Sequence, residues 1–353
     1  MVSSPLLVTF TLFFSLPFFF YFAPQTFHLP HFAFTVSDDL DDLVLFTRAT
    51  RAAAHSASTT SRLGTTNPKP KIAFLFLTNS NLSFAPLWEK FFHGNRNLFN
   101  IYIHSDPSVY IAPPGGVFRD RFIPSKKTFR ASPSLIAAAR RLLAAALIDD
   151  PMNRYFALVS QHCIPLHSFR FMYRSLFGNE LTILSSFTFF QSNYKSFIEI
   201  LSDEPNLYDR YEARGEHAML PEVPFEEFRV GSQFFVLNRR HAVTVVRDRR
   251  LWRKFRLPCV TEEPCYPEEH YFPTLLSMED PNGCTRFTLT RVNWTGSWDG
   301  HPRLYTAPEV SPDLIFQLRQ SNYSGYDYMF ARKFSPESLV PLMDIADDVI
   351  FRD

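Results

Sequence analysis

Glycine is scarce in this chain of 353 residues, which has only 11 glycines against 39 phenylalanines. The chain also lacks a P-loop, a G-x-G-x-x-G turn, a G-x-S-x-G elbow and an H-E-x-x-H pair. These absences exclude a phosphate site built on glycine backbone. They also argue against a collagen-like fibre.

Net charge is nearly absent as well, since 36 Lys and Arg stand against 35 Asp and Glu, a formal charge of +1. Such a balance provides no overall attraction to nucleic acid, and we expect no nucleic-acid partner. Apolar residues make up 46% and charged residues 20%, which is typical of a globular protein and not of a disordered one.

One uncharged apolar run is long enough to cross a bilayer. It covers 19 residues from Pro5 to Ala23, close to the roughly 20 that a membrane helix needs. A cleaved secretory signal usually has a shorter apolar region of about 7–15 residues. We therefore favour an uncleaved signal anchor over residues 1–23, which would contact the lipid bilayer, and a cleaved peptide is the alternative.

Three N-x-[ST] sequons and four cysteines favour a body on the lumenal side of the secretory pathway. The sequons make Asn81, Asn293 and Asn322 candidates for glycosylation. The cysteines are Cys163, Cys259, Cys265 and Cys284. An even number is compatible with two disulfides in an oxidising compartment. Their spacing is not that of a zinc site, so structural disulfides or buried thiols are favoured over metal.

The composition of residues 24–70 predicts a stem or linker with little packed structure. The stretch AAAHSASTTSRLGTTNPKP, from Ala52 to Pro70, is rich in Ala, Ser and Thr and has no apolar period. The triplet Asp39-Leu40-Asp41 follows no apolar strand. We therefore interpret it as part of a solvated acidic cluster, together with Asp38 and Asp42, and not as a metal site.

From Lys71 onward, short apolar runs alternate with helical stretches. The strand candidates are IAFLFLT at 72–78, NIYIH at 100–104, YFALVS at 155–160, TILSSF at 182–187 and QFFVL at 233–237. Ser132 is a good N-cap and Pro133 suits the first position of a helix over 134–148. The alternation predicts an α/β domain over residues 71–353, with a sheet that is mostly parallel in its first half.

Ligands of open parallel sheets bind beyond the carboxyl ends of the strands. Asp106 and the segment Gln161-His162-Cys163 follow predicted strands, so their position alone makes them candidates.

The most unusual stretch is CVTEEPCYPEEHYFPT, from Cys259 to Thr274. A carboxylate beside apolar rings is desolvated, which raises its pKa and suits it to general-base catalysis. Adjacent acids on a strand point to opposite faces, so Glu268 and Glu269 would form a poor hydrolase pair. One acid acting alone is favoured, and an exposed acidic loop is the alternative.

The segment Phe330–Phe334 places Arg332 and Lys333 between aromatic residues. Cations flanked by apolar rings suit a bound diphosphate, because a drier site strengthens charge pairing. Surface cations lying over phenylalanine rings are the alternative.

Taken together, eight segments resemble the plant branch of the core-2/I-branching β-1,6-N-acetylglucosaminyltransferase family, glycosyltransferase family fourteen. In the family's order they read KIAFLFLT, NIYIHSDPS, FIPSKKTFRASPSL, ARRLLAAALIDDPMNRYFALVSQHCIPLHSF, RVGSQFFVLNRRHA, CYPEEHYFPTLL, VNWTGSWDGHPRLY and FARKFSP. The resemblance implies a GT-A-like glycosyltransferase domain behind an N-terminal transmembrane helix and stem. It also implies a single-pass type II Golgi membrane protein with a lumenal catalytic domain.

The implied reaction is inverting transfer of a sugar, N-acetylglucosamine, from a UDP-sugar donor to a hydroxyl of a glycan or glycoprotein acceptor. The resemblance implies no metal and no other cofactor. Glu269, the second acid of an acid-acid-His motif, corresponds to the general base. Arg303 and Lys333 correspond to the basic residues that hold the leaving UDP, and Asp106 corresponds to a nucleoside contact. The acceptor contacts that match by spacing are Glu199, Arg210 and Trp294.

The chain departs from the family pattern in places. Ala139 stands where an acid commonly precedes the Arg pair of the helix, and Phe129-Arg130-Ala131 replaces a usual Trp-Gly. These departures motivate a non-catalytic protein of the same fold as one alternative. Glucuronosyl transfer onto galactan chains of plant proteoglycans, which relatives of the family carry out, is another.

Overall fold

A computed structural model of the chain describes residues 36–58, 69–181, 195–261, 265–297, 300–321 and 325–353. The predicted anchor over 1–23, the strand candidate at 182–187 and Asn322 lie outside these ranges. Within them, no helix combines the length and the apolar character needed to cross a bilayer.

The described residues form strands in both halves of the chain, connected largely by helices. The strands are β1 (Lys71–Thr78), β2 (Phe99–Ser105), β3 (Asn153–Ser160), β4 (Ile164–Pro165), β5 (Ser196–Glu199), β6 (Val236–Asn238), β7 (Cys284–Arg286), β8 (Thr290–Val292) and β9 (Phe330–Arg332). The α-helices are α1 (Val36–Ser58), α2 (Ala85–Phe92), α3 (Pro133–Asp149), α4 (Phe169–Leu181), α5 (Leu207–Glu212), α6 (Arg239–Arg247), α7 (Arg250–Phe255), α8 (Pro267–Glu279), α9 (Pro312–Arg319) and α10 (Leu339–Asp344).

Six of these strands form one sheet in the order β2-β1-β3-β6-β5-β7. β1 pairs in parallel with both β2 and β3, and β5 pairs in parallel with β7. β6 runs antiparallel to its neighbours β3 and β5. The predicted α/β fold with a mostly parallel sheet is therefore confirmed. A smaller sheet has the order β4-β9-β8.

β1 lies in the centre of the parallel half of the large sheet, and all of its residues from Ile72 to Thr78 are buried. Burial on both faces explains why this strand reads as a continuous apolar run and not as an alternation. Phe76 packs edge-on against Trp88 of α2, with ring centroids 5.2 Å apart. Part of the phenylalanine excess thus fills the core between the sheet and α2.

The N-terminus of α3 forms as the sequence predicts. The Ser132 hydroxyl accepts a hydrogen bond from the Ser134 backbone N–H at 3.1 Å, and Pro133 occupies the first turn. Arg140 and Arg141 are buried on this helix, so each needs partners from elsewhere in the chain. Arg140 donates to backbone carbonyls of Val245, Val246 and Asp248.

The structure departs from the expectation of little packed structure within residues 24–70. Val36–Ser58 forms α1, which packs on α3 and α6 and buries Phe46 and Ala49. The Arg140 guanidinium lies 4.5 Å from the Phe46 ring centroid. The few apolar residues of this segment did not predict that it packs against the domain, because charged side chains contribute much of the contact.

The acidic residues interpreted as a solvated cluster fix α1 to the rest of the domain. Asp42 accepts two hydrogen bonds from the Arg141 guanidinium, at 2.6 and 2.8 Å, in a buried position. Its carboxylate thus reaches the Arg pair beside Ala139, the position that lacks the usual acid. Two further ion pairs join Asp39 to Arg256 and Asp41 to Lys126. Each basic partner lies 85 or more positions after its aspartate in the sequence. The local composition around the aspartates therefore does not predict these ion pairs.

Cys259 and Cys265 form a disulfide, whereas Cys163 and Cys284 are buried free thiols. Both outcomes that the cysteine spacing favours are therefore found, but with one disulfide among these four residues and not two. Among the described residues, no group of three or more His, Cys, Asp or Glu side chains is arranged to hold a metal ion.

Candidate active site

The carboxyl ends of β1, β2 and β3 meet at one edge of the sheet because the three strands are parallel. After β1, Asn79 accepts a hydrogen bond at 2.7 Å from the side chain of Gln161, which follows β3. After β2, the Asp106 backbone N–H donates to the Thr78 carbonyl at 3.1 Å. The two candidates that the sequence places at strand ends, Asp106 and Gln161–Cys163, therefore lie at the same edge.

Asp106 lies in a pocket of about 400 Å³ whose lining includes Tyr110 and Phe122. Its carboxylate accepts four hydrogen bonds, at 2.6 to 2.9 Å, from the backbone N–H and hydroxyl groups of Ser108 and Thr128. Burial alone would raise the pKa of this carboxyl, but the hydrogen bonds outweigh it and hold the pKa below 3.8. Asp106 is therefore an ionised acceptor with a fixed orientation.

Glu268 and Glu269 lie in the first turn of α8, so the strand geometry assumed from the sequence is wrong. Tyr266 has a left-handed backbone with φ 39°, and Pro267 at the start of the helix suits the fixed φ of a first turn. Neighbours on a helix point about 100° apart. Glu268 is buried, and burial raises its pKa to about 8. Glu269 is the acid of the pair that is partly exposed, by 23% of its side chain.

Glu269 lies beside Arg210 of α5, with 3.3 Å between Oε2 and Nη1. The pKa of Glu269 is raised overall, mainly by burial and in part by the negative charge of Glu199. The positive charges of Arg210 and Arg332 lower it but do not cancel the effect of burial. Burial also raises the pKa of Glu199, whose carboxylate accepts a hydrogen bond from the Ser232 backbone N–H. The structure thus brings together Glu199, Arg210 and Glu269, which lie 11 or more positions apart in the sequence.

Arg303 and Lys333 lie on neighbouring segments joined by backbone hydrogen bonds. The Lys333 N–H donates to the Arg303 carbonyl at 3.4 Å, and the Tyr305 N–H donates to the Lys333 carbonyl at 2.8 Å. Lys333 is close enough to His162, at the end of β3, to help lower the pKa of that imidazole, after burial as the main cause. Lys333 therefore lies near the carboxyl edge of the sheet, while the Arg303 guanidinium is engaged by Glu309.

Trp294 is 50% exposed and lies beside the Arg303 segment, because the Arg303 N–H donates to the carbonyl of Asn293 at 2.8 Å. The Asn293 side-chain oxygen accepts from the Thr295 N–H at 2.9 Å. Asn81 is exposed, and its side-chain oxygen accepts from the Ala112 N–H at 3.0 Å. Both asparagines use the oxygen in these contacts and not the amide nitrogen to which a glycan would attach.

The sequence indicates Arg332 only as one of two cations suited to a diphosphate, whereas the structure places its charge near Glu269. Its guanidinium lies 4.3 Å from the Phe234 ring centroid, and its charge acts on Glu269. No local signal in the sequence indicates this contact, because Glu269 and Arg332 lie far apart along the chain.

A family profile described as Branch, core-2/I-branching enzyme, matches residues 72–319, well over half of the chain. The chain belongs to the core-2/I-branching family of glycosyltransferases. The family match includes Asp106, Glu269 and Arg303, whereas Lys333 lies beyond its last residue. The resemblance found in the sequence segments is thereby confirmed.

Among characterised relatives, the rice protein Glycosyltransferase BC10 (Oryza sativa subsp. japonica) is 26% identical to this chain over 327 residues. The match covers 78% of this chain and 76% of the rice protein. This core-2/I-branching glycosyltransferase and its rice relative are therefore similar over most of their lengths.

Proposed function

We propose that this protein transfers N-acetylglucosamine, with inversion, from a UDP-sugar to a hydroxyl of a glycan or glycoprotein, on a GT-A-like fold. The observation that carries the proposal is Glu269, a partly exposed carboxylate with a raised pKa, paired with Arg210 at 3.3 Å. A general base must accept a proton near neutral pH, and a raised pKa suits it to do so.

In the proposed reaction, the acceptor oxygen attacks the anomeric carbon from the face opposite UDP while Glu269 accepts the hydroxyl proton. A carbon–oxygen bond to the acceptor forms, and the bond to the phosphate oxygen breaks, so that UDP leaves with the electron pair. Arg210 offsets part of the effect of burial on the Glu269 pKa, which keeps the carboxylate available as a base. Glu199, Arg210 and Trp294 would contact the acceptor.

The leaving UDP carries negative charge that must be neutralised as the bond breaks. We propose that Lys333 and Arg303 do so, without a metal, and that the pocket beside Asp106 takes the nucleoside. Because Arg303 is engaged by Glu309, it would exchange this carboxylate for the diphosphate on donor binding. Transfer should continue unchanged in a chelator such as EDTA, and chelator-sensitive turnover would overturn this part of the proposal.

The decisive experiment is Glu269→Gln, which keeps the shape of the side chain and removes the base. We expect transfer to fall by about 10²–10⁴-fold, the usual contribution of general-base catalysis, while UDP binding is retained. Glu279→Gln is the matched control, since Glu279 lies at the other end of α8 in an exposed pair with Arg250. Turnover that survives in Glu269→Gln would show that another group is the base.

The choice of N-acetylglucosamine rests on the family resemblance. Glucuronosyl transfer is the competing reaction, and the two require different nucleotide sugars. Competition binding of UDP-N-acetylglucosamine against UDP-glucuronate separates them, and tighter binding of the glucuronate would overturn the proposed donor.

We also propose that the protein is a type II Golgi membrane protein, anchored by residues 1–23, with its catalytic domain in the lumen. The uncharged run from Pro5 to Ala23 supports the anchor, and the Cys259–Cys265 disulfide supports an oxidising compartment. Exposed Asn81 provides the test, because only a lumenal domain would carry a glycan on this residue. The Asn81→Gln protein should then be lighter than the unmodified protein by the mass of one glycan. Protease added to the cytosolic side of sealed Golgi vesicles should leave a lumenal domain intact. Cleavage of the domain by this protease would refute the proposed orientation.

A further inference from the structure

His270, the last residue of the acid-acid-His motif, has no part in the chemistry proposed above. It is fully buried in the first turns of α8, directly after Glu269. Its ring stacks on Phe228, with centroids 4.6 Å apart and planes 12° apart. Its Nδ1 lies 2.9 Å from the Arg229 carbonyl oxygen. A carbonyl oxygen only accepts, so Nδ1 carries a proton and donates it to this bond.

The imidazole is held neutral in this position. Burial lowers the pKa of His270 to about 3, and the nearby cations Arg210 and Arg214 add to this effect against the hydrogen bond to Arg229. His270 therefore does not titrate near neutral pH and is suited neither to accept nor to relay the acceptor proton. What His270 contributes to the site is therefore its contacts and not its charge.

Residues 228–232, against which His270 packs, contact the backbone of Glu269 and both the backbone and the carboxylate of Glu199. The Gly231 N–H donates to the backbone carbonyl of Glu269 at 2.9 Å. The next residue, Ser232, donates its N–H to the Glu199 carboxylate. Gly231 also lies so close to Glu199 that a Cβ on Gly231 would be 2.0 Å from the Glu199 carbonyl oxygen. Segment 228–232 is thus a short connection between the base and the acceptor-side acid.

Thr274, one helical turn after His270, binds the same backbone residue. The Arg229 N–H donates to the Thr274 hydroxyl oxygen at 3.0 Å, and that hydroxyl lies 3.3 Å from the Arg229 carbonyl. Two side chains of α8 thus fix Arg229 relative to the helix that carries Glu269.

We propose that His270 is a positioning residue, whose hydrogen bond to Arg229 and stack on Phe228 hold segment 228–232 so that Glu199 lies beside Glu269. This role rests on the proposed function, in which Glu269 is the general base. A shift of about 1 Å between reacting groups can cost about 10²-fold in rate, so a buried imidazole that acts only through its neighbours can still control turnover.

The test compares two variants that each keep one half of the His270 contacts. His270→Phe keeps an aromatic ring against Phe228 and loses the donor, whereas His270→Asn keeps an N–H group near Nδ1 and loses the ring. We expect His270→Phe to lower kcat by about 10–10²-fold with UDP affinity unchanged. We expect His270→Asn to recover a substantial part of that loss.

The pH profile provides the readout that a purely structural role would not move. The charged groups acting on Glu269 are Arg210 from α5, Arg332 from β9, Glu199 from β5, Glu204 from the loop after it and Glu268 from α8. The negative charge of Glu199 raises the Glu269 pKa. If segment 228–232 relaxes and Glu199 moves away, the acid limb of kcat/KM should shift to lower pH in His270→Phe.

His167→Phe is the matched control, because His167 is also buried, stacked on a phenylalanine (Phe171) and bonded to one other group, Asp353. It should lower the melting temperature without moving kcat or the acid limb. If His270→Phe does not fold, Thr274→Val removes the second contact to Arg229 and should produce the same loss and the same pH shift.

Two results would overturn the role of His270. One is a folded His270→Phe enzyme with the kcat and acid limb of the unmodified protein. The other is His270→Asn impaired as severely as His270→Phe. Failure of the proposed base is distinguishable, because Glu269→Gln measures it directly and involves neither His270 nor Arg229.

Discussion

Replacing Asp42 should destabilise the domain far more than replacing its neighbour Asp41. The Asp42 side chain is 12% exposed and that of its partner Arg141 is 3% exposed, with hydrogen bonds of 2.6 and 2.8 Å between them. Asp42→Ala leaves the Arg141 charge buried without its carboxylate, which costs about 3–5 kcal/mol. Asp41 is 65% exposed in its pair with Lys126, and Asp41→Ala should cost only about 0–1 kcal/mol.

The direction of the Asp42 pKa shift sharpens this prediction. Burial raises the pKa of Asp42 above 3.8 even though the hydrogen bond and charge of Arg141 lower it, so desolvation outweighs the attraction. The folded state then binds the Asp42 proton more tightly than the unfolded state does. The contribution of Asp42 to stability therefore falls as the pH rises from 3.8 through the folded pKa. Replacing both partners, by Asp42→Leu with Arg141→Met, should consequently cost less than Asp42→Leu alone.

Urea unfolding of the full-length protein, followed by far-ultraviolet circular dichroism, measures these differences in the free energy of unfolding. The comparison needs Asp42→Ala, Asp41→Ala, Asp42→Leu and the Asp42→Leu/Arg141→Met pair. The reasoning is refuted if Asp42→Ala costs less than about 1 kcal/mol, the value typical of an exposed pair. It is also refuted if the double replacement is no better than Asp42→Leu.

Three further variants test other parts of the structure. Gly231→Ala places a Cβ 2.0 Å from the Glu199 carbonyl oxygen and should lower kcat/KM for transfer by about 10²-fold. The control is Gly115→Ala, which has no atom within 4 Å of the new Cβ and should leave kcat/KM unchanged. Equal kcat/KM values for the two variants would contradict the close approach of Gly231 to Glu199. Ala131 has a left-handed backbone with φ 52°, so Ala131→Gly should raise the free energy of unfolding by about 0.5 kcal/mol. The reason is that relief of about 1–2 kcal/mol of backbone strain exceeds the entropic cost of glycine, about 0.5–1 kcal/mol. A lower melting temperature of Ala131→Gly would count against this. Hydrogen bonds hold the Asp106 pKa below 3.8 against the effect of burial, so the contribution of Asp106 to stability is present above pH 3.8 and is lost as the pH falls through the folded pKa. The free energy of unfolding of Asp106→Asn should therefore depend less on pH in this acid range. An unchanged pH dependence would refute the pKa shift.

Features with local signals were predictable from the sequence. The apolar run at 72–78 became the buried central strand β1, and the Ser132 cap formed at the start of α3. The position of Asp106 and Gln161–Cys163 at one edge of the sheet also followed, because parallel strands end there. The motif singled out Glu269, whose role as the base stays a prediction. The sequence also predicted different surroundings for Glu268 and Glu269, but from a strand geometry that the structure does not have.

Features that depend on distant partners were not predictable. The docking of α1 is determined by Arg141 and Arg256, which provide charges from other elements. Sequence alone assumed a strand for Glu268 and Glu269, whereas Tyr266 and Pro267 start a helix there. Which of the two acids is partly exposed depends on how α8 packs against segment 228–232, and periodicity carries no information on that packing.

The docking of α1 has a practical consequence for anyone who prepares a shortened enzyme. The homologous region spans residues 72–319, but α1 precedes it, and β9 with Lys333 follows it. A fragment trimmed to the homologous limits would leave the Arg141 guanidinium buried without Asp42, and it would lack Lys333, for which we propose a role in binding UDP. A shortened version of the chain should therefore keep α1 and β9, with its first residue upstream of Val36 and its last residue beyond Lys333.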